Sequence, residues 1–190
     1  YAIVRRRRDS EVLATSLDDE LPCDKDTAWL LVVADGLGGQ VSGQIASATA
    51  VRAVLRFSMS MSSWIMRPND ADRQGLEERV ALYADSINRE MQGAVEVNPG
   101  LAGMATTVTS AYLYGSRATL VNVGDSRSYL IRNGKLRQIT RDHTLAQQLQ
   151  DGGLPEEVTH AYRNVLTRCF DTSGKPANFD VFHLELRDQD

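Results

Sequence analysis

Leu30-Leu31-Val32-Val33-Ala34-Asp35-Gly36-Leu37-Gly38-Gly39 constrains this chain more than any other stretch. An unbroken apolar run reads as a strand buried on both faces. Asp35 then stands where that strand leaves the core, and the glycines after it let the backbone turn sharply and approach a ligand closely. A carboxylate at the mouth of a buried strand, beside permissive backbone, suits a hard cation with oxygen ligands. An Asp-Gly pair in a solvated tight turn is the plainer reading. The rest of the chain has to decide between them.

The 190 residues make one domain, or most of one, with an ordinary 42% of hydrophobic residues. A net charge of -4 carries no nucleic-acid signal. The short basic run from Arg5 to Arg8 reads as a solvated strand edge or tail. No stretch approaches the roughly 18 apolar residues of a membrane span, and the first residues lack a signal-peptide profile. Neither nucleic acid nor membrane is therefore expected as a partner. Cys23 and Cys169 make no disulfide framework, which points to free thiols and a cytoplasmic setting. His143, His160 and His183 show no ligand spacing, so zinc is not expected.

Along the chain, residues 11–17 read weakly as a strand, 18–26 as a loop and 29–34 as a second strand. Residues 42–59 favour helix, with Ile45, Ala48, Val51 and Leu55 on one face. A connection over 60–72 leads to a second helix carrying Leu76, Val80, Tyr83, Ile87 and Met91, stopped by Asn98-Pro99-Gly100. The character then turns to β. Strands are expected over 106–114 and 117–123, and a hairpin about Asn133-Gly134. A short helix over 143–151 should stop at Gly152-Gly153, with further strands over 165–170 and 179–186. Segregated helices and antiparallel hairpins argue for an α+β architecture of two packed sheets with helices outside.

Asp125 repeats the logic of Asp35. The strand Leu120-Val121-Asn122-Val123 also ends in a glycine and an aspartate. If the two strands are neighbours with aligned ends, both carboxylates enter one space, where they repel unless a cation neutralises them. Each could equally be a turn residue, and spacing alone leaves a shared metal site open. Asp9, before the weak first strand, is a third candidate. Gly36-Leu37-Gly38-Gly39-Gln40-Val41 lacks the third glycine of a dinucleotide fingerprint, and no nucleotide P-loop or Gly-x-Ser-x-Gly elbow occurs.

Several ordered segments resemble the metal-dependent Ser/Thr protein phosphatases of the 2C type, in their bacterial branch. Val33 to Gly39 looks like that family's Asp-Gly-x-Gly-Gly segment, and Ser42 to Ser47 like the helix start that follows it. Gly103-Met104-Ala105-Thr106-Thr107 resembles its Gly-Met-Gly-Thr-Thr strand entry. Gly124-Asp125-Ser126-Arg127 resembles its Gly-Asp-Ser-Arg hairpin, Thr140-Arg141-Asp142-His143 its Thr-x-Asp-His segment, and Val165 to Arg168 the strand after its flap. The resemblance implies two packed antiparallel sheets flanked by helices, with two Mg or Mn ions at one end of the sandwich. Asp35 would be the catalytic carboxylate bridging both ions, with the Gly36 carbonyl on one of them. Asp9 would be a further ligand, and Asp125 would hold a third, weaker metal. The implied activity is direct hydrolysis of phosphoserine and phosphothreonine by an activated water, without a phospho-enzyme. The implied partners are phosphorylated proteins, targets of a Ser/Thr kinase.

Three departures accompany the resemblance. Arg8 stands where the family has Glu. The family's phosphate-binding Arg falls at Val4, and Arg5 beside it is the substitute on offer. The chain also ends at Asp190, before the family's Ser-Asp-Gly strand and Asp-Asn pair. Residues 1–190 are thus expected to form a single phosphatase-like domain lacking its C-terminal part, inactive by itself. The alternative reading is a catalytically dead member serving as a binding or regulatory module.

Overall fold

In the computed structural model, residues 1–6, 10–13, 28–60 and 73–190 are described. Six strands form one antiparallel sheet: β1 (Ala2–Arg6), β2 (Ser10–Leu13), β3 (Ala28–Val33), β6 (Val108–Tyr114), β7 (Arg117–Val123) and β11 (Asp180–Glu185), ordered β11-β7-β6-β3-β1-β2. A second sheet joins β4 (Gly36–Leu37), β5 (Ala105–Thr106) and β10 (Phe170–Asp171). A hairpin of β8 (Tyr129–Arg132) and β9 (Lys135–Gln138) completes the strands. The helices are α1 (Gln40–Ser60), α2 (Arg73–Val97), α3 (Leu145–Asp151) and the one-turn α4 (Glu156–Thr159). This is the expected α+β class, with antiparallel sheets and flanking helices.

The two long helices bury their apolar stripes against one face of the six-stranded sheet. Ala46, Ala50, Ala53 and Val54 from α1 meet Ala84, Ile87 and Met91 from α2, over Val32, Val108 and Val123 of the strands. The three- and four-residue spacings put these side chains on single helix faces. Small residues on α1 let it sit close to the sheet. At its start it packs tightly on β4: a Cβ on Gly43 would lie 2.7 Å from the Gly36 carbonyl oxygen, and a Cβ on Gly36 would overlap the Gly43 backbone.

Pairing register sorts the opposite face into rows, because directly paired residues share a face. Val33, Thr109, Asn122 and Asp180 form the row nearest the exit of β3. Leu31, Ala111, Leu120 and Phe182 form the next, then Trp29, Leu113, Ala118 and Leu184. The chain after β7 returns to the first row, where Thr109 Oγ1 donates to the Ser126 carbonyl at 2.9 Å and Asn122 to the Arg141 carbonyl at 3.0 Å, and Ala118 and Leu120 on this face are buried. Arg132 fastens the hairpin to β11, its Nη2 donating to the Glu185 carbonyl at 2.8 Å and its Nε to Asp190 Oδ1 at 2.7 Å.

Three expectations need correcting. β3 is not buried on both faces: Ala28 and Val32 are each 1% exposed, but Leu31 and Val33 on the other face are 37% and 52% exposed. The helices cover only one side of it. The expected strand over 106–114 breaks at Thr107, whose amide donates to the Asp35 carbonyl at 2.9 Å instead of continuing one ladder. The strand over 165–170 shrinks to a Thr144–Leu166 bridge and β10, because Val165 and Thr167 spend their backbone groups on the entry to α3. β1 went unread in the sequence because arginines interrupt its apolar pattern.

Candidate metal and phosphate site

The site grows from the kink where β3 passes into β4. Asp35 lies between the two strands, and its backbone is held on both sides by a threonine pair. Its amide donates to Thr107 Oγ1 at 3.1 Å, and its carbonyl accepts from the Thr107 amide and from Thr106 Oγ1 at 3.0 Å. Both threonines are buried, so these bonds are shielded from competing water. The Asp35 residue itself is exposed.

Thr107 also carries the link to the second acidic turn. Its Oγ1 is 2.8 Å from Ser126 Oγ. Its methyl side fills the place a side chain on residue 124 would need, since a Cβ on Gly124 would come within 2.4 Å of Thr107 Cγ2. Gly124 sits at φ 108°, a conformation that favours glycine for its own sake. The β3–β4 kink and the turn after β7 are therefore pressed together across one threonine, and Asp35 and Asp125 come to the same end of the sheet.

Their charges feel each other. Partial burial pushes the Asp125 carboxyl above the ordinary carboxylate range, with the negative charges of Asp142 and Asp35 pushing the same way. Asp142 is itself engaged by Arg127, whose Nε donates to both carboxylate oxygens at 2.9 and 3.0 Å. That fork raises the Arg127 guanidinium further above its usual range.

Under the Asp125 turn lies a buried polar network. Asn122 is fully buried, accepts from Thr109 Oγ1 at 2.5 Å, and donates to the carbonyls of Gly124 (3.2 Å) and Arg141 (3.0 Å). His143, also buried, accepts the Gly124 amide on Nδ1 at 3.1 Å, while its own amide donates to the Gly124 carbonyl at 3.0 Å. Its Nε2 faces Asp180 Oδ2 at 3.1 Å, and Arg168 Nη1 donates to Asp180 Oδ1 at 2.7 Å.

Of the residues expected from sequence, the structure brings Asp35 and Asp125 together. Gly36 adjoins them, with its carbonyl oxygen close against α1. Asp9 lies outside the described residues. Arg5 is not brought to the site. It pairs with Trp29 in the third row and sits over the Trp29 ring at 5.7 Å, some six residues, or roughly 20 Å, along β3 from Asp35. Sequence reasoning passed over Thr107, Asn122, Asp142, Asp180 and Arg168 as site residues. Asn122 had a legible signal, a polar residue inside an apolar strand that must find partners once buried. Asp180 had none, since only the register of β11 brings it in, and Arg168 stood in the Val165–Arg168 segment with no site role attached to it.

The donor chemistry fits a hard cation in kind: half-buried or exposed carboxylates with mutual repulsion to relieve. Among the described residues, however, no three carboxylate, imidazole or thiolate groups are assembled as a complete ligand cluster.

Residues 13–175 match the model of the protein phosphatase 2C family. The chain belongs to that family. It is 32% identical over 179 residues to the serine/threonine phosphatase stp of Listeria welshimeri, covering 88% of this chain and 65% of that protein. Among solved structures it resembles the serine/threonine phosphatase Stp1 from Staphylococcus aureus, at 28% identity and a TM-score of 0.71, covering 86% of this chain and 62% of that one. It also resembles the catalytic domain of the serine/threonine protein phosphatase PstP in complex with two manganese ions, at 29% identity and a TM-score of 0.65, covering 97% of this chain and 74% of that one. The chain thus spans about two thirds of the length of these 2C-type relatives, and the α+β fold is theirs.

Proposed function

We propose that the full-length protein hydrolyses phosphoserine and phosphothreonine on proteins with the help of divalent cations. Asp35 and Asp125 are the described carboxylates that would hold them, with the Gly36 carbonyl and Asp9 as further donors. Magnesium or manganese suits such an all-oxygen set. Two ions near Asp35 and a third at Asp125 is the arrangement we put forward, and the two manganese ions of the PstP catalytic domain lend support to manganese. Such cations supply water activation and neutralise charge on phosphoryl oxygens.

The observation that carries this reading is the clasp through Thr107. It brings two strand-end aspartates from separate parts of the chain to one sheet end, close enough for their charges to interact. Structural turn residues have no need of such crowding, and crowded carboxylates are costly without a cation. Arg5 is proposed no further for phosphate binding, because the geometry lends it no support.

Phosphorylated proteins, targets of a Ser/Thr kinase, are the substrates we propose, and the cytoplasm is the proposed compartment. No helix among the described residues is long and apolar enough to cross a membrane. The test is a manganese titration of phosphothreonine-peptide hydrolysis by the full-length gene product. Cation-dependent release of phosphate, abolished by chelation, is expected; hydrolysis indifferent to chelation would overturn the proposal.

A further inference from the structure

His143 is buried and lies outside the cation-binding set; its ring Nδ1 and its backbone amide both bond Gly124, and its ring Nε2 faces Asp180. We propose that His143 is a positioning residue for Asp125, holding the Gly124–Asp125 turn through the lone pair on its Nδ1. The proposal rests on the reading of Asp125 as a cation ligand.

The hydrogen-bond network assigns the ring proton. The Gly124 amide has only a proton to offer, so Nδ1 must be bare to receive it at 3.1 Å. The proton therefore sits on Nε2 and is donated to Asp180 Oδ2. Arg168 Nη1 donates to Asp180 Oδ1 at 2.7 Å and lies 3.3 Å from His143 Nε2, so with Nε2 protonated the guanidinium's bond goes to the carboxylate and holds it against the ring. The relay runs from a guanidinium, through a carboxylate on the sheet-edge strand β11, to an imidazole, and ends at the amide next to Asp125. A carboxylate that fixes a histidine's tautomer and orientation is a common way of preparing the opposite nitrogen for its task.

The target of this relay leaves little room for slack. Gly124 has both its amide and its carbonyl bonded to His143, and the carbonyl takes a second bond from Asn122. On its other side it is wedged against Thr107. Loss of the Nδ1 acceptor would strand a buried amide, and the least expensive remedy is for the turn to open at Gly124 so that the amide of the Val123–Gly124 peptide reaches water. Opening the turn there moves Asp125, the next residue, away from Asp35.

Two near-isosteric substitutions separate the ring's two bonds. Asparagine presents an amide oxygen at the place of Nδ1 and gives up the bond to Asp180. Glutamine reaches the place of Nε2 and gives up the acceptor for Gly124. Each variant loses one buried bond, so a merely structural role makes them alike. In the full-length protein, manganese binding is followed by calorimetry, with Asp125→Ala identifying the Asp125 site, and Gly124 amide exchange is followed by NMR in the metal-free state.

His143→Asn is expected to keep manganese affinity at the Asp125 site within about threefold, and His143→Gln to weaken it by about 10–100-fold. Gly124 amide exchange should accelerate at least tenfold in His143→Gln alone. In the wild type, Nδ1 should resonate as a bare acceptor nitrogen. Equal manganese affinities in the two variants, unchanged Gly124 exchange in His143→Gln, a protonated Nδ1 in the wild type, or failure of either variant to fold would each overturn the positioning role. If Asp125→Ala titrates like the wild type, Asp125 is no cation ligand and the underlying reading falls. If it does not, and His143→Gln still binds like the wild type, only the positioning role falls.

Discussion

At the scale of single residues, charge decides what the site does without a cation. Asp125 carries a carboxyl held above its ordinary range by burial and by Asp142 and Asp35, so its ionised form works against the folded state. Asp125→Asn is expected to raise the melting temperature of the metal-free protein at pH 7 by about 1–3 °C. An unchanged or lower melting temperature would mean that the two acidic turns are not crowded. His143 gives the opposite pH dependence. Burial lowers its imidazole below the usual range of about 6.5, and Arg168 adds to this against the pull of Asp180 and Asp142. The unfolded chain then binds the proton more readily, so stability is complete above about pH 6.5 and declines as pH falls below it. Asp180 behaves likewise at lower pH. Burial alone would raise its carboxyl, but the bonds from His143 and Arg168 outweigh that and hold it below its ordinary value. Its contribution is present above about pH 4 and is lost as pH falls further. Urea midpoints across pH 7 to 5 should show a decline that His143→Asn removes.

Among elements, the telling contact is that of α1 on β4. Glycine-to-alanine exchange inside a helix ordinarily stabilises by about 0.5–1 kcal/mol. At Gly43 the sign should reverse, because the added methyl would lie 2.7 Å from the Gly36 carbonyl oxygen. Gly43→Ala is expected to destabilise by about 1–3 kcal/mol in denaturant unfolding, and it would shift the strand that follows Asp35. The sequence reading assigns the glycines after Asp35 to a sharp turn and ligand approach; Gly36 and Gly43 serve helix-on-strand packing. The hairpin about Asn133-Gly134 was legible because its requirement is local: both residues adopt positive φ, 52° and 70°, as a tight two-residue turn demands. The break at Thr107 was not legible, because it answers to Asp35, 72 residues earlier. The faces of β3 were misread for a related reason. An apolar run does not say what covers it, and here helices cover Val32 while Val33 stays half open. Val32→Ala should accordingly cost about 1–3 kcal/mol, and Val33→Ala less than about 0.5.

For the whole molecule, the sequence disclosed the two long helices, the strands around them and, because strand-end Asp-Gly and Gly-Asp motifs are local signals, the two acidic turns, but not β1 or α4. It could not disclose the Arg168–Asp180–His143 relay, which exists only once β11 pairs with β7 and the chain after β7 folds back across the sheet. Nor could it place Arg5, whose neighbours are set by the pairing of β1 with β3. What emerges is a six-stranded sheet with helices on one face and, at one end of the other, a clasp between two acidic turns, in a 2C-type fold spanning about two thirds of its relatives' length. The central claim is that this clasp is the business end of a cation-dependent phosphatase. It is tested most directly by manganese-dependent hydrolysis of a phosphothreonine peptide by the full-length protein and its Asp35→Asn variant, with circular dichroism confirming that both are folded. A loss of more than about 100-fold in kcat/KM is the predicted result, since removing one carboxylate charge removes much of the cation's hold. Turnover of the variant within a few fold of the wild type would contradict the account.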